Sequence, residues 1–206
     1  MNENVIKKQI TEIVNELKNS PEDASLLNDL GVGYYLLGDF AEAIRYLKEA
    51  AQIKPTAAYH FNLGNAYAEN DNPEAAMESY MDALESEPSH IGALNNLADL
   101  YESTGDSDRA HELFHYVMHI NPDDPVSHYN LGNFFLRQNQ HIEAAKCFEE
   151  AIKRDENFTE AYYNISWILY KAKAYKDALR YAEKGLKIEP EHKMLTELKN
   201  KLNQQL

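Results

Sequence analysis

The chain has 206 residues, of which 44% are hydrophobic and 26% charged; 34 acidic against 20 basic residues give a formal net charge of −14. This composition fits a folded, soluble protein and argues against disorder, while the acidic excess disfavours nucleic acid and anionic lipid and favours partners bearing lysine and arginine. No apolar run approaches the roughly 20 residues that cross a bilayer, the first residues lack the apolar stretch of a secretory leader, and the single Cys147 excludes an internal disulfide framework; a cytoplasmic protein without membrane insertion is expected.

Taken in chain order, Ile6, Ile10, Ile13 and Leu17 form an apolar stripe at helical spacing, predicting an N-terminal helix within residues 1–20. From there the chain repeats itself. Five segments align without gaps on the small residues Gly31, Gly64, Ala98, Gly132 and Ser166, spaced 33, 34, 34 and 34 residues apart. In each, a leucine or isoleucine (Leu30, Leu63, Leu97, Leu131, Ile165) precedes the small residue and a large one follows three later (Tyr34, Tyr67, Tyr101, Phe135, Leu169). The small residue is expected to let a neighbouring helix approach closely.

A second helix follows in every repeat, with Ala43, Ala76, Ala110, Ala144 and Ala178 four residues ahead of Leu47, Tyr80, Phe114, Phe148 and Ala182 on one buried stripe. The connections Gly38-Asp39, Asp71-Asn72, Gly105-Asp106 and Asn139-Gln140 combine a residue tolerant of left-handed backbone with an N-cap for the next helix. Pro55, Pro88, Pro122 and Pro190 close the second helices. After the last repeat Leu195, Leu198, Leu202 and Leu206 mark a C-terminal capping helix within 193–206.

These landmarks resemble those of the tetratricopeptide repeat family. The resemblance implies an all-α, right-handed superhelical α-solenoid of antiparallel helix pairs. It would form a single domain over 1–206 with repeats at 24–56, 57–90, 91–124, 125–158 and 159–192. His60 and His128 stand where the family often has tryptophan, and Glu156 replaces the closing proline. Ser166, Ala182 and Gly185 depart from family landmarks, so the fifth repeat is expected to pack less well.

The stretch HELFH, residues 111–115, matches the zinc-protease pattern H-E-x-x-H. The repeat register decides against that reading. Ala110 and Phe114 hold core positions, so His111 and His115 are expected to turn towards solvent, and no third ligand or cleft accompanies them. His119 continues the row about 12 Å from His111, too far to share an ion. A weak surface metal site at His111 and His115 is the residual alternative; no cofactor and no catalytic residue are implied.

In this family the first helices line a groove that receives partner segments, which implies a non-enzymatic protein-protein adaptor or scaffold. The groove positions by register are Asp29, Asn62, Asn96, Asn130 and Asn164 two residues before the small marker. Asn65, Asp99, Asn133 and Trp167 stand one after it, and Phe61, Tyr129 and Tyr163 three before it; Tyr170 and Arg137 complete the set. The asparagine column, similar to that of O-linked N-acetylglucosamine transferases, is suited to pairing with the backbone of an extended peptide. The aromatic and acidic residues favour an extended or helical segment with basic and apolar side chains. Asn28, Asp29, Asn62, Gly92 and Asn96 provide no cation in the first three repeats, so binding of an acidic EEVD-type tail is not expected. Self-association, with a terminal helix filling a neighbour's groove, is the alternative scaffold reading.

Overall fold

The computed structural model describes residues 3–206, and among them every regular element is a helix. They are α1 (Glu3–Leu17), α2 (Ala24–Leu36), α3 (Phe40–Ile53), α4 (Ala57–Glu69), α5 (Pro73–Ser86), α6 (Ile91–Ser103), α7 (Ser107–Ile120), α8 (Pro125–Arg137), α9 (His141–Arg154), α10 (Thr159–Lys171), α11 (Tyr175–Ile188) and α12 (Lys193–Asn203). The chain divides into two compact units, Met1–Leu113 and Phe114–Leu206, with the boundary inside α7. Consecutive helices pack on one another within each unit, as in an α-solenoid.

Turn chemistry explains why each repeat is a helix pair. Gly38, Asp71, Gly105 and Asn139 adopt positive φ (77°, 54°, 90° and 59°), which ends one helix and redirects the chain at once. The following Asp39, Asn72 and Asp106 carboxylate or amide oxygens accept the backbone N–H groups of Glu42, Ala75 and Arg109. The fifth repeat places Lys173 at φ 61° in the same position. Each proline-closed helix stops two residues before its proline, and α9 stops at Arg154 in the same way ahead of Glu156.

Packing within a pair rests on the small marker residue. A Cβ added at Gly64 would lie 2.5 Å from the Tyr80 ring, and one at Gly132 would lie 2.7 Å from the Phe148 ring. Gly31 sits equally close to Leu47. In the fifth repeat the glycine is replaced by Ser166, fully buried, whose hydroxyl donates to the Ala178 carbonyl at 2.8 Å. Packing around the smaller side chains of that repeat is completed from α12. Gly185 admits Leu195 of α12 against it, and Ala178, Ala182, Leu195, Leu198 and Leu202 form one buried cluster.

The two end helices cover the repeats they follow or precede. Ile6 and Ile10 of α1 are buried with Leu30, and Ile13 and Leu17 flank them. At the C-terminus the apolar stripe is shorter than the sequence spacing suggested. The helix ends at Asn203, and Leu206 lies beyond it, 59% exposed.

Gly64→Ala is expected to destabilise the chain by about 1–3 kcal/mol, because a fully buried tyrosine ring must move to admit the methyl group. Thermal and urea melts against wild type measure it; an unchanged midpoint would show that the Tyr80 contact yields freely.

Candidate functional site

Three columns of side chains repeat along the first helices, and the structure assigns each a distinct set of contacts. Aromatics three before the marker pack forward onto the residue that begins the next first helix. Phe61 meets His90 at 4.8 Å between ring centroids, Tyr129 meets Phe158 at 5.0 Å, and Tyr163 meets His192 at 6.0 Å. His90 and His192 are themselves N-caps, their Nδ1 atoms accepting from the Ala93 and Leu195 backbone N–H groups. Sequence reading missed these caps, since histidine is not among the usual capping residues.

The column two before the marker bonds to the preceding repeat. Asn62 Nδ2 donates to Asn28 Oδ1 at 2.9 Å, Asn96 Nδ2 to Asn65 Oδ1 at 2.8 Å, and Asn164 Nδ2 to Asn133 Oδ1 at 3.1 Å. Thus Asn65 and Asn133, one after the marker, are the acceptors for Asn96 and Asn164. Asn28 in turn donates to Asp29 at 3.3 Å, and Asp29 lies apart from the other rungs, at an apolar recess between α1 and α2. Asn130 is half-buried on α8, and Arg137 is exposed in the last turn of that helix.

In the first unit these contacts build a recess of about 490 Å³ between α2, α4 and α6, with Tyr80 of α5 as its floor. Tyr80 donates its hydroxyl to Asn65 Oδ1 at 2.8 Å and accepts from Asn96 Nδ2 at 3.2 Å, closing a three-residue network. Tyr35, Glu69, Asp99, Leu100 and Ser103 line the walls, and the lining contains no lysine or arginine. Burial pushes the Tyr80 hydroxyl up to about 12, opposed by the Asn96 hydrogen bond and reinforced by the charge of Glu69. Tyr35 is raised for the same reasons, burial first and Glu69 second. Sequence patterning placed Tyr80 in the core; it gave no sign that the hydroxyl reaches through to the groove side.

The second unit presents a different surface. Trp167, half-buried, stands nearly perpendicular to the His141 ring with centroids 6.1 Å apart, and the Lys171 ammonium lies 5.2 Å from its centroid. Tyr163 and Tyr170 stand beside it at a recess between α10 and α12.

The HELFH histidines differ from expectation. Ala110 and Phe114 are buried as the register required, but His111 and His115 are half-buried and do not project freely into solvent. The His115 ring stands nearly perpendicular to that of Phe135, with centroids 6.3 Å apart. A residue 100° from the core stripe of a helix can still be partly covered by other side chains, which the one-helix argument left out. Among the described residues no group of three or more His, Cys, Asp or Glu side chains is arranged to hold a metal ion. His128, at the family's tryptophan position, is buried with Nε2 2.8 Å from the Pro122 carbonyl, and His60 is half-buried 3.5 Å from Asp82. Burial pushes the Cys147 thiol up to about 11, so it is neutral and unreactive near pH 7.

Comparison with known proteins agrees with this architecture. The model of the Cilia and flagella-associated protein 70 middle TPR-like domain matches residues 94–199, half of the chain, and two tetratricopeptide repeat models match residues 24–57 and 57–90. The chain belongs to the tetratricopeptide repeat family. Human protein O-mannosyl-transferase TMTC3 is 23% identical over 91% of this chain and 22% of its own length. Anaphase-promoting complex subunit 3 of Schizosaccharomyces pombe is 25% identical over 91% of this chain and 28% of its own length. The chain therefore spans about a quarter of the length of these curated relatives. Among solved structures, MamA is 26% identical with a TM-score of 0.64, covering 71% of this chain and 86% of that one. PilF of Pseudomonas aeruginosa, at 22% identity and a TM-score of 0.74 over 88% of this chain and 83% of its own, shares the fold. Among the described residues no helix is long and apolar enough to cross a membrane.

An ordinary tyrosine ionises near 10, whereas folded Tyr80 keeps its proton to about 12. The folded state therefore binds the extra proton between those values, and stability falls as pH rises through that window. Tyr80→Phe is expected to cost about 1 kcal/mol at pH 8 through its two lost hydrogen bonds, with the deficit against wild type shrinking by pH 11. Urea denaturation at both pH values reads the difference; a constant deficit would contradict the assignment.

Proposed function

We propose that the chain is a non-enzymatic scaffold module that binds an extended or helical segment of a partner protein on the face formed by its first helices. The observation that carries this reading is the recess between α2, α4 and α6. It has a polar floor fixed by the Tyr80–Asn65–Asn96 network, aromatic and apolar walls from Tyr35 and Leu100, and Glu69 exposed at its rim without a basic residue in the lining. A pocket whose polar groups are already mutually hydrogen-bonded is pre-organised, so little ordering entropy opposes binding. The negative rim and tyrosine face suit the ammonium or guanidinium of a lysine or arginine, and Leu100 suits a neighbouring apolar side chain. Membership of the repeat family supports the same use, as does similarity to a protein whose name makes it a subunit of a larger assembly.

The asparagine column contributes in two ways. One amide hydrogen of Asn62 and Asn164 is committed between repeats, and the Asn96 amide nitrogen meets both Asn65 Oδ1 and the Tyr80 hydroxyl. What the column offers a peptide backbone is the remaining N–H groups and the side-chain carbonyls. Replacing the asparagines would therefore disturb the repeat interfaces and the groove together. Glu69, exposed and outside any packing cluster, separates the two effects.

A random peptide library selected on the full chain is expected to enrich lysine or arginine flanked by apolar residues. The charge reversal Glu69→Lys should leave the melting temperature within a few degrees and weaken the selected peptides about tenfold. Peptides with no basic preference, or equal affinity for the variant, would count against the recess as the anchoring point.

A further inference from the structure

Charge along the chain is strongly uneven. Residues 171–206 carry nine Lys and Arg against five Asp and Glu, a net of +4, whereas residues 1–170 carry 11 against 29. The basic stretch comprises the end of α10, then α11 and α12. Two of its cations are already paired: Arg180 with Asp177 at 3.2 Å and Lys199 with Glu183 at 3.4 Å. Among the described residues, neither Lys171 nor Lys201 pairs with a carboxylate. Both are exposed, and both line the recess of about 380 Å³ between α10 and α12, where Glu197 is the one opposing charge.

The rest of the recess is built to hold apolar surface. Tyr163, Trp167 and Tyr170 are half-buried, and all three pack against the buried cluster formed by Ala178, Ala182, Leu195, Leu198 and Leu202. Their rings are thereby held in place, offering contact area without a large ordering cost. The Lys171 ammonium lies over the Trp167 ring, 5.2 Å from its centroid, which places a cation directly against that apolar platform, while Lys201 belongs to the opposite wall on α12. Met194, 51% exposed at the same wall, supplies an adaptable apolar side chain.

We propose that this recess is a second docking site, specific for a peptide segment that combines carboxylates with apolar or aromatic side chains. Lys171 and Lys201 meet the carboxylates from the two walls, and the Tyr163–Trp167–Tyr170 platform takes the apolar residues. Its charge preference is opposite to that of the recess lined by Glu69. The two sites lie in different units and draw on no common residue, so each stands or falls alone. One chain then binds two segments of contrasting chemistry, as a scaffold joining unlike partners requires.

Trp167 is the single tryptophan of the chain, so intrinsic fluorescence reports on this recess directly. The full chain is titrated with a short synthetic peptide of Asp, Glu, Leu and Phe, and with its counterpart in which Lys and Arg replace the acids. The acidic peptide is expected to change Trp167 emission saturably, with affinity falling several-fold as salt is raised, and the basic peptide to leave it unchanged. Lys171→Glu combined with Lys201→Glu should weaken the acidic peptide about tenfold or more, with the circular-dichroism melt preserved, whereas Glu69→Lys should not affect it. No saturable response, an equal response to the basic peptide, or undiminished affinity of a folded double variant would overturn the proposal. So would an emission change produced by raising the concentration of the chain alone together with dimer formation in light scattering, since the occupant would then be a second copy.

Discussion

A repeat of this kind depends on how closely its two helices approach, and one contact sets that distance. The first helix presents a residue without a side chain where the second presents a ring or a leucine: Gly31 to Leu47, Gly64 to Tyr80, Gly132 to Phe148. These large side chains are fully or almost fully buried, and burial of each contributes on the order of 2 kcal/mol. Because interiors are close-packed, an added methyl group at the marker position has no void to enter. Where the marker is Ser166, a hydroxyl-to-carbonyl bond to Ala178 satisfies the one polar group that the close approach buries.

With the pair fixed, the next requirement is that one pair hold its neighbour, and two columns of the first helices do this. Phe61, Tyr129 and Tyr163 lie on the residues that open the next first helix, and Asn62, Asn96 and Asn164 reach back to the previous one. An aromatic contact forward and an amide bond backward make the register between repeats specific, since slippage would strand half-buried amides without partners. The same side chains stand at the edge of the proposed binding face. Packing and the proposed recognition therefore share residues, and the groups left over for a partner are those such as Glu69, Tyr35, Trp167 and Lys171.

The two recesses show how one scaffold acquires contrasting chemistry. In the first unit an internal network of Tyr80, Asn65 and Asn96 is bordered by carboxylate, and burial, reinforced by the Glu69 charge, raises the pKa of Tyr35 and Tyr80. In the second, three aromatic rings are bordered by two lysines. The backbone geometry is alike; the difference comes from a handful of side chains on the exposed faces of α4, α10 and α12. Such positions do not enter the packing pattern, so they change without cost to the fold.

The amino-acid sequence by itself determined the helix pairs, their boundaries at Gly38, Asp71, Gly105 and Asn139, the buried stripes, and the apolar seams of α1 and α12. All of these are set by local backbone preference and by a periodicity that a single segment carries. Tertiary structure alone decided what the polar groove residues do. Whether Asn96 faces a peptide or Asn65 depends on a partner 31 residues away, and the capping role of His90 requires a backbone N–H at the right angle. Placement of the Tyr80 hydroxyl depends on how deeply its ring crosses beneath Gly64. Even the half-burial of His111 and His115 escapes a one-helix argument, because coverage is a property of neighbouring helices. A column of asparagines reads identically in sequence whether its amides point outward or across the repeat interface; only distances distinguish them.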